Sequence, residues 1–264
     1  MPKLILQIIL VLIGIYLLIC ILLYFNQEKF IFHPTKVPKD FKYDFPHPFK
    51  EIYFTASDST KIHSLYFEVE NPKGVVYYLH GNSGDLSGWG DVAGAYLDLG
   101  YNILMIDYRG FGKSEGQIHN EKHFYEDAQL GYDFLKASFD ENQIIMVGYS
   151  VGTGTASHLA STNNPKLLIL QSPYYNLTEI MKMRVPFTPT SLLKYKFENA
   201  QNISKTKCPV YIFHGDSDLV ISYHNSIKLK EHLKEKDEYT TLENFGHNAV
   251  NEHPLFLSKL KLIL

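Results

Sequence analysis

The sequence predicts an α/β protein with a mostly parallel central sheet and helices on both faces. Apolar runs of strand length alternate with longer helical patterns, and these runs are 75–79, 103–106, 144–147, 167–170 and 210–213. Strands interleaved with helices are typical of a parallel sheet that is covered on both sides. The length of the chain is consistent with such a fold, because 264 residues of which 45% are hydrophobic suit one large domain with a substantial core.

Further elements complete this sheet. Residues 51–55 and 62–69 are rich in β-branched and aromatic residues and predict a strand pair joined by a polar turn at 57–59. Residues 124–139 carry apolar side chains at helical spacing on one face, which indicates a core helix. Residues 240–242 predict the final strand.

The N-terminal segment differs from the rest of the chain. Residues 4–25 are apolar except for Gln7 and two tyrosines, and as a helix they would extend about 33 Å, enough for a hydrocarbon layer of roughly 30 Å. We expect a transmembrane anchor at 1–27, a juxtamembrane connector at 28–50 and the globular domain at 51–264. A cleaved signal peptide is the alternative, although no small-residue cleavage site closes the apolar run.

The charges that flank this segment predict its orientation. Lys3 and the amino terminus precede the apolar run, whereas Lys29, Lys36, Lys39 and Lys42 follow it. Because positive charge favours the cytoplasmic side of a membrane span, the count places the globular domain in the cytoplasm by a small margin.

Composition argues against several other classes of protein. The net charge is −3 and the chain has no basic stripe, so we expect no nucleic-acid partner. Cys20 and Cys208 lie far apart and outside any pattern typical of metal sites. We therefore predict no disulfide framework and no structural zinc. The mechanism predicted below needs no metal and no organic cofactor.

The sequence around Ser150 suggests a nucleophile. Gly148 and Gly152 flank this serine between the apolar run 144–147 and a helical pattern at 151–160. This is the strand-turn-helix context of the G-x-S-x-G motif, in which small flanking residues let the serine hydroxyl protrude. The alternative is a polar residue in an ordinary tight turn.

A serine nucleophile needs a base and an acid to orient that base. His247 follows the predicted strand 240–242, and Asp218 follows the apolar run 210–213. The order serine, acid, histidine is the one expected on this architecture. Asp216 is the second carboxylate in the same loop, and helix capping is the alternative role for Asp218.

Backbone donors for an oxyanion are predicted after the run 75–79. The sequence His-Gly-Asn-Ser-Gly at 80–84 begins there, and we expect the amides of Asn82 and Val151 to form the pair of donors. A simple glycine turn is the alternative.

These motifs together resemble the α/β-hydrolase family over about residues 50–264. The resemblance rests on 80–84, the segment 107–116 with sequence DYRGFGKSEG, the serine turn, His214-Gly215 with Asp218, and Gly246-His247. It is strongest to a membrane-anchored subgroup that includes depalmitoylating serine hydrolases and bacterial relatives. The resemblance implies an α/β-hydrolase fold and a hydrolase with a Ser-His-Asp triad.

Two more features bear on the site. Arg109 has a planar fork that suits a substrate carboxylate, but we expect it to brace loops instead. Between 174 and 205 the alternation of strand and helix patterns breaks, which predicts a short cap, and its methionines could adapt to an acyl chain or simply pack.

The function predicted from these residues is hydrolysis of a carboxylic ester or thioester of a lipidic or acylated substrate. Ser150 attacks the carbonyl, His247 takes its proton and Asp218 holds the imidazole, so that an acyl-enzyme forms and water releases the acid. Two alternatives remain, a serine peptidase related to aminopeptidases and a catalytically silent scaffold used for binding.

Overall fold

The computed structural model describes residues 2–264, and Met1, the first residue of the expected anchor, lies outside them. The α-helices are α1 Pro2–Ile31, α2 Leu86–Trp89, α3 Ala93–Leu97, α4 Glu121–Lys136, α5 Gly152–Thr162, α6 Leu177–Arg184, α7 Asn199–Lys205, α8 Tyr223–Ser226 and α9 Pro254–Ile263. The strands are β1 His33–Pro34, β2 Phe49–Thr55, β3 Lys61–Phe67, β4 Val75–Leu79, β5 Ser83–Gly84, β6 Asn102–Ile106, β7 Ile144–Tyr149, β8 Leu167–Gln171, β9 Val210–Gly215 and β10 Glu238–Leu242. Each predicted strand is present.

The strands β2–β4 and β6–β10 form one sheet. Among residues 2–264 this sheet has eight strands in the order β10-β9-β8-β7-β4-β6-β3-β2. The parallel pairs of neighbouring strands are β6-β4, β4-β7, β7-β8, β8-β9 and β9-β10. Strand β3 pairs antiparallel with both β2 and β6. The carboxyl ends of the parallel strands therefore lie along one edge, where loops can bring functional side chains together.

Apolar side chains fill both faces of the sheet. Along β4, Val75, Tyr77 and Leu79 belong to one core cluster, with α4, α5 and α7. Val76 and Tyr78 belong to the other cluster, with α3 and α9. This alternation confirms the prediction of a sheet that is covered on both sides.

The N-terminal helix α1 is long and apolar enough to cross a membrane. Its apolar side chains are largely exposed, unlike those of a core helix. The helix continues to Ile31, so the first residues of the expected connector 28–50 are helical. After it, Phe32 is buried between the rings of Phe124 and Tyr195, both with centroids 5.1 Å away. The end of α1 is thereby fixed to the globular domain.

The region expected to be a cap, 174–205, contains α6, a short 3-10 turn at Thr190–Leu192 and α7. Helix α6 starts where the Asn176 side chain accepts a hydrogen bond from the amide of Glu179. Helix α7 packs on α5 and belongs to the core. The segment 177–193 is the part that lies over the site described below.

Arg109 braces the structure. Its guanidinium makes a two-pronged ion pair with the buried Asp127 of α4, with N···O distances of 2.6 and 2.9 Å. A further N–H donates to Asp58 in the turn between β2 and β3, at 2.5 Å. The predicted bracing role is confirmed, and Arg109 is not among the residues that line the cavity near Ser150.

Replacing Arg109 with alanine is expected to lower the free energy of unfolding by about 3–5 kcal/mol, because Asp127 is left as an unpaired buried charge. Chemical denaturation in detergent, followed by the fluorescence of the single tryptophan Trp89, measures this. Arg184→Ala is the matched control, since Arg184 is exposed, and we expect a change within about 0.5 kcal/mol. Equal effects of the two substitutions would contradict the bracing role.

Candidate active site

Ser150 lies at a sharp turn between β7 and α5. Its backbone has φ of +50°, in the left-handed region that residues other than glycine rarely adopt. The turn is held by a hydrogen bond from the Ser150 amide to the carbonyl of Gln171 on β8, at 2.9 Å. This strained backbone presents the serine hydroxyl at the carboxyl edge of the sheet.

The two glycines that flank Ser150 are required by close packing. A Cβ atom on Gly148 would approach the carbonyl of Gly152 and the side chain of Ala156 to 2.7 Å. A Cβ atom on Gly152 would collide with the backbone carbonyls of Leu79 and His80. Distances below 3.0 Å are not tolerated by real Cβ atoms, so the spacing of glycines in the sequence reflects a steric need.

The structure brings His247 next to Ser150. The Nε2 atom of His247 is 3.0 Å from the Ser150 Oγ, and its Nδ1 atom is 2.7 Å from Oδ2 of Asp218. Because an ionised carboxylate only accepts hydrogen bonds, Nδ1 carries the proton and Nε2 is free to accept one from the serine. The three predicted side chains therefore form one continuous hydrogen-bonded chain.

The position of His247 is fixed by a residue that the sequence did not reveal. The hydroxyl of Tyr149 donates to the backbone carbonyl of His247 at 2.6 Å. The amide of Ser217 donates to the carbonyl of Phe245 at 3.0 Å, which joins the loop after β9 to the loop after β10. The loop that carries the imidazole is thus tied both to the serine turn and to the loop of Asp218.

Asp218 is buried and fully hydrogen-bonded. Its Oδ1 accepts from the amides of Val220 and Ile221, both at 2.8 Å. Its Oδ2 faces His247 and also lies 3.1 Å from Nε2 of His214. His214 belongs to the motif at 214–218, but its contact with the carboxylate was not predicted. By contrast, Asp216 is exposed.

These contacts keep Asp218 ionised. Burial alone would raise the pKa of the Asp218 carboxyl, but hydrogen bonds from His214 and His247 outweigh burial and hold the pKa well below its ordinary value. Because this pKa is lower in the folded protein than in the unfolded chain, the carboxylate stabilises the fold at neutral pH. That contribution is lost as the pH falls into the acid range.

The donors predicted for an oxyanion are the backbone amides of Asn82 and Val151. Both residues line the same cavity as Ser150. Within residues 2–264, neither backbone N–H donates a hydrogen bond to another protein group. Two unpaired amides beside a serine hydroxyl suit a developing negative charge on a substrate oxygen.

Two known proteins are similar to this chain in sequence. The chain is similar to the α/β-hydrolase domain-containing protein 17B of Homo sapiens, with 32% identity over 197 residues, which cover 72% of this chain and 66% of that protein. It is also similar to the lysophosphatidylserine lipase ABHD12 of Rattus norvegicus, with 32% identity over 177 residues, covering 59% of this chain and 44% of the lipase. The chain thus spans less than two thirds of the length of each relative.

A protein-family model also matches this chain. The model described as serine aminopeptidase, S33, matches residues 70–203, just over half of the chain. The chain belongs to the α/β-hydrolase family. The resemblance and the fold class predicted from the sequence motifs are therefore confirmed.

Solved structures show the same α/β-hydrolase fold. An esterase from Pyrococcus furiosus, Pf2001, superposes with a TM-score of 0.68 at 20% identity, covering 89% of this hydrolase and 97% of the esterase. At this level of identity the likeness concerns the fold alone.

The Ser150 hydroxyl of this hydrolase opens on an apolar cavity of about 580 Å³. Such a volume is typical of small-molecule sites. The segment 177–193 forms one wall through Leu177, Ile180 and Met181. The last turns of α1 form another wall, and its lining residues are Leu23, Tyr24, Gln27, Phe30 and Ile31.

The end of α1 contacts the oxyanion loop directly. The Asn82 side chain donates to the carbonyl of Ile31 at 2.8 Å, and the His33 amide donates to the carbonyl of Asn82 at 2.8 Å. The strand β1, which follows α1, pairs with β5, which follows Asn82. In this hydrolase the N-terminal helix is therefore part of the site, which the sequence analysis did not predict.

A second cavity of about 650 Å³ lies beside the histidine loop. It is more polar, and its acidic lining residues are Asp85, Asp91 and Glu252. Tyr149 and Asn248, the neighbours of Ser150 and His247, also line it, but Ser150 and His247 do not. Ser150 therefore opens on the apolar cavity and not on the more polar one.

Proposed function

We propose that this protein is a membrane-anchored serine hydrolase that cleaves carboxylic esters or thioesters of lipidic or acylated substrates. The observation that carries the proposal is the hydrogen-bonded chain from Asp218 through His247 to Ser150, whose last member lines an apolar cavity. The lipase activity named for ABHD12 supports the same class of reaction.

The reaction follows from the positions of these atoms. Nε2 of His247 takes the Ser150 proton as Oγ attacks the carbonyl carbon, and the amides of Asn82 and Val151 stabilise the oxyanion. The imidazolium then protonates the leaving alcohol or thiol, which leaves an acyl-enzyme. A water activated by His247 attacks the acyl-enzyme and releases the acid. Asp218 stays ionised and holds the imidazole throughout.

Helix α1 supplies the anchor in this proposal. Its apolar side chains face outward and its length exceeds a hydrocarbon layer of roughly 30 Å. The excess of lysines after the helix favours the cytoplasmic side for the catalytic domain. The apolar cavity beside its last turns favours an acyl chain rather than a charged group.

A series of acyl substrates tests this function. With purified full-length protein, we expect kcat/KM for p-nitrophenyl esters and matching thioesters to rise with chain length. Each buried CH₂ contributes up to about 0.8 kcal/mol, which is roughly fourfold in kcat/KM, until the chain exceeds the cavity. Ser150→Ala is the control for background hydrolysis. A preference for acetate over all longer acyl groups would contradict an acyl-binding role for the cavity.

A serine peptidase is the second candidate, because the matching family model carries that description and the second cavity has acidic lining residues. Carboxylates of this kind could hold a substrate amine. Aminoacyl anilides in the same assay separate the two functions. Hydrolysis of these anilides at a higher kcat/KM than any acyl ester would favour the peptidase.

A further inference from the structure

Apolar side chains are exposed beside the entrance of the Ser150 cavity. Met183 and Phe187 lie next to lining residues of the segment 177–193, and the Phe187 side chain is 86% exposed. On the loop after Asp218, Leu219 is 93% exposed and Val220 lines the cavity. Exposed apolar groups clustered around a binding site mark a surface that meets another apolar phase.

The depth of this surface follows from its contact with α1. The Tyr16 hydroxyl donates to the backbone carbonyl of Phe187 at 3.0 Å. Helix α1 is about 45 Å long, whereas a hydrocarbon layer of about 30 Å takes roughly 20 residues. If the layer begins at Leu4, where the apolar run starts, it ends near Leu23. Tyr16 and Phe187 then lie about 10 Å inside it.

The charges near these residues fit the same placement. Lys182 and Arg184 flank Met183 and are exposed, and Arg184 donates to the carbonyl of Val220. Long basic side chains beside apolar ones are typical of segments at a membrane surface, where the apolar groups enter the lipid and the charges reach the headgroups.

We propose that the segment 177–193 and the Leu219-Val220 loop enter the same leaflet as α1, so that the Ser150 cavity opens into the lipid. The substrate is then a long-chain acyl ester or thioester that resides in the bilayer, and its acyl chain enters laterally between α1 and α6. This inference rests on the proposed function. A lipid phase is favoured over a second protein copy because the apolar surface is continuous with a helix that is long enough to span a bilayer.

Quenching by lipids tests the placement without any measurement of activity. An environment-sensitive fluorophore is attached to Phe187→Cys in full-length protein in vesicles, with Cys20 and Cys208 replaced by alanine. Leu262→Cys is the matched control, because Leu262 is also 86% exposed but lies on α9, on the opposite face of the sheet. We expect lipids brominated in their acyl chains to quench position 187 and not 262. Equal quenching at the two positions would overturn the proposal. A second protein copy that covers the surface would shield position 187 from the brominated lipids and so give this result.

Kinetics test the lateral entry. Phe187 does not line the cavity, so Phe187→Asp is expected to leave hydrolysis of water-soluble p-nitrophenyl acetate within about twofold. Hydrolysis of a long-chain ester embedded in nanodiscs is expected to fall by about tenfold, because a charge resists insertion. Leu262→Asp should change neither rate. Equal loss on both substrates, or no loss on the embedded ester, would overturn lateral entry. If the parent protein hydrolyses neither substrate, the proposed function fails, while the quenching result is unaffected.

Discussion

Replacing Ser150 with alanine is expected to lower kcat on every cleaved ester by on the order of 10⁵-fold or more. The methyl group cannot form the acyl-enzyme, and His247 has no proton to take. The residual rate depends only on binding and on the amides of Asn82 and Val151. Single-turnover hydrolysis of a long-chain ester measures the loss.

A covalent probe separates loss of the nucleophile from loss of the fold. A fluorophosphonate should add to Ser150 of the parent protein, as seen in the intact mass, and should not add to Ser150→Ala. Ser217→Ala is the matched control, since Ser217 is an exposed serine in the loop of the acid, and it should label and turn over normally. Labelling that persists in Ser150→Ala would show that another residue is the nucleophile.

The strands and the reactive side chains were predictable because each depends on a local pattern. Short apolar runs such as 75–79 mark buried strands, and the glycines around Ser150 mark a turn in which a Cβ atom would collide with backbone. Ser150, Asp218 and His247 follow the strands β7, β9 and β10, and the carboxyl ends of these strands meet at one edge of a parallel sheet.

The walls of the site were not predictable, because they join segments that are distant in sequence. The Asn82 side chain bonds to Ile31, 51 positions away, and no local pattern marks this pair. The Tyr149 hydroxyl bonds to the carbonyl of His247, 98 positions away. Tyr149 is buried in the core, and the sequence around it gives no sign that its hydroxyl also bonds to a distant loop. Such contacts are set by the packing of whole elements, which the period of apolar residues does not specify.

Asp218→Asn is expected to lower kcat by about 10³- to 10⁴-fold at neutral pH. The amide nitrogen of asparagine would donate to Nδ1 of His247, which moves the imidazole proton to Nε2. The imidazole would then present a donor to the Ser150 hydroxyl instead of an acceptor, so it could not take the serine proton. Steady-state kinetics on a long-chain ester measure this loss.

Asp216→Asn is the matched control, because this aspartate lies two positions earlier in the same loop and is exposed. We expect its kcat within about twofold of the parent protein, since surface substitutions away from a site have small effects. In Asp218→Asn the retained Oδ1 can still accept from the amides of Val220 and Ile221, so the loop should keep its shape and Trp89 fluorescence should be unchanged. If Asp216→Asn lost activity and Asp218→Asn did not, the acid would be assigned to the wrong carboxylate. Loss in Asp218→Asn with native fluorescence would instead locate the effect in the tautomer of His247. The substitution also removes the oxygen that faces Nε2 of His214, but that nitrogen keeps its contact with the carbonyl of Ile221 at 2.9 Å.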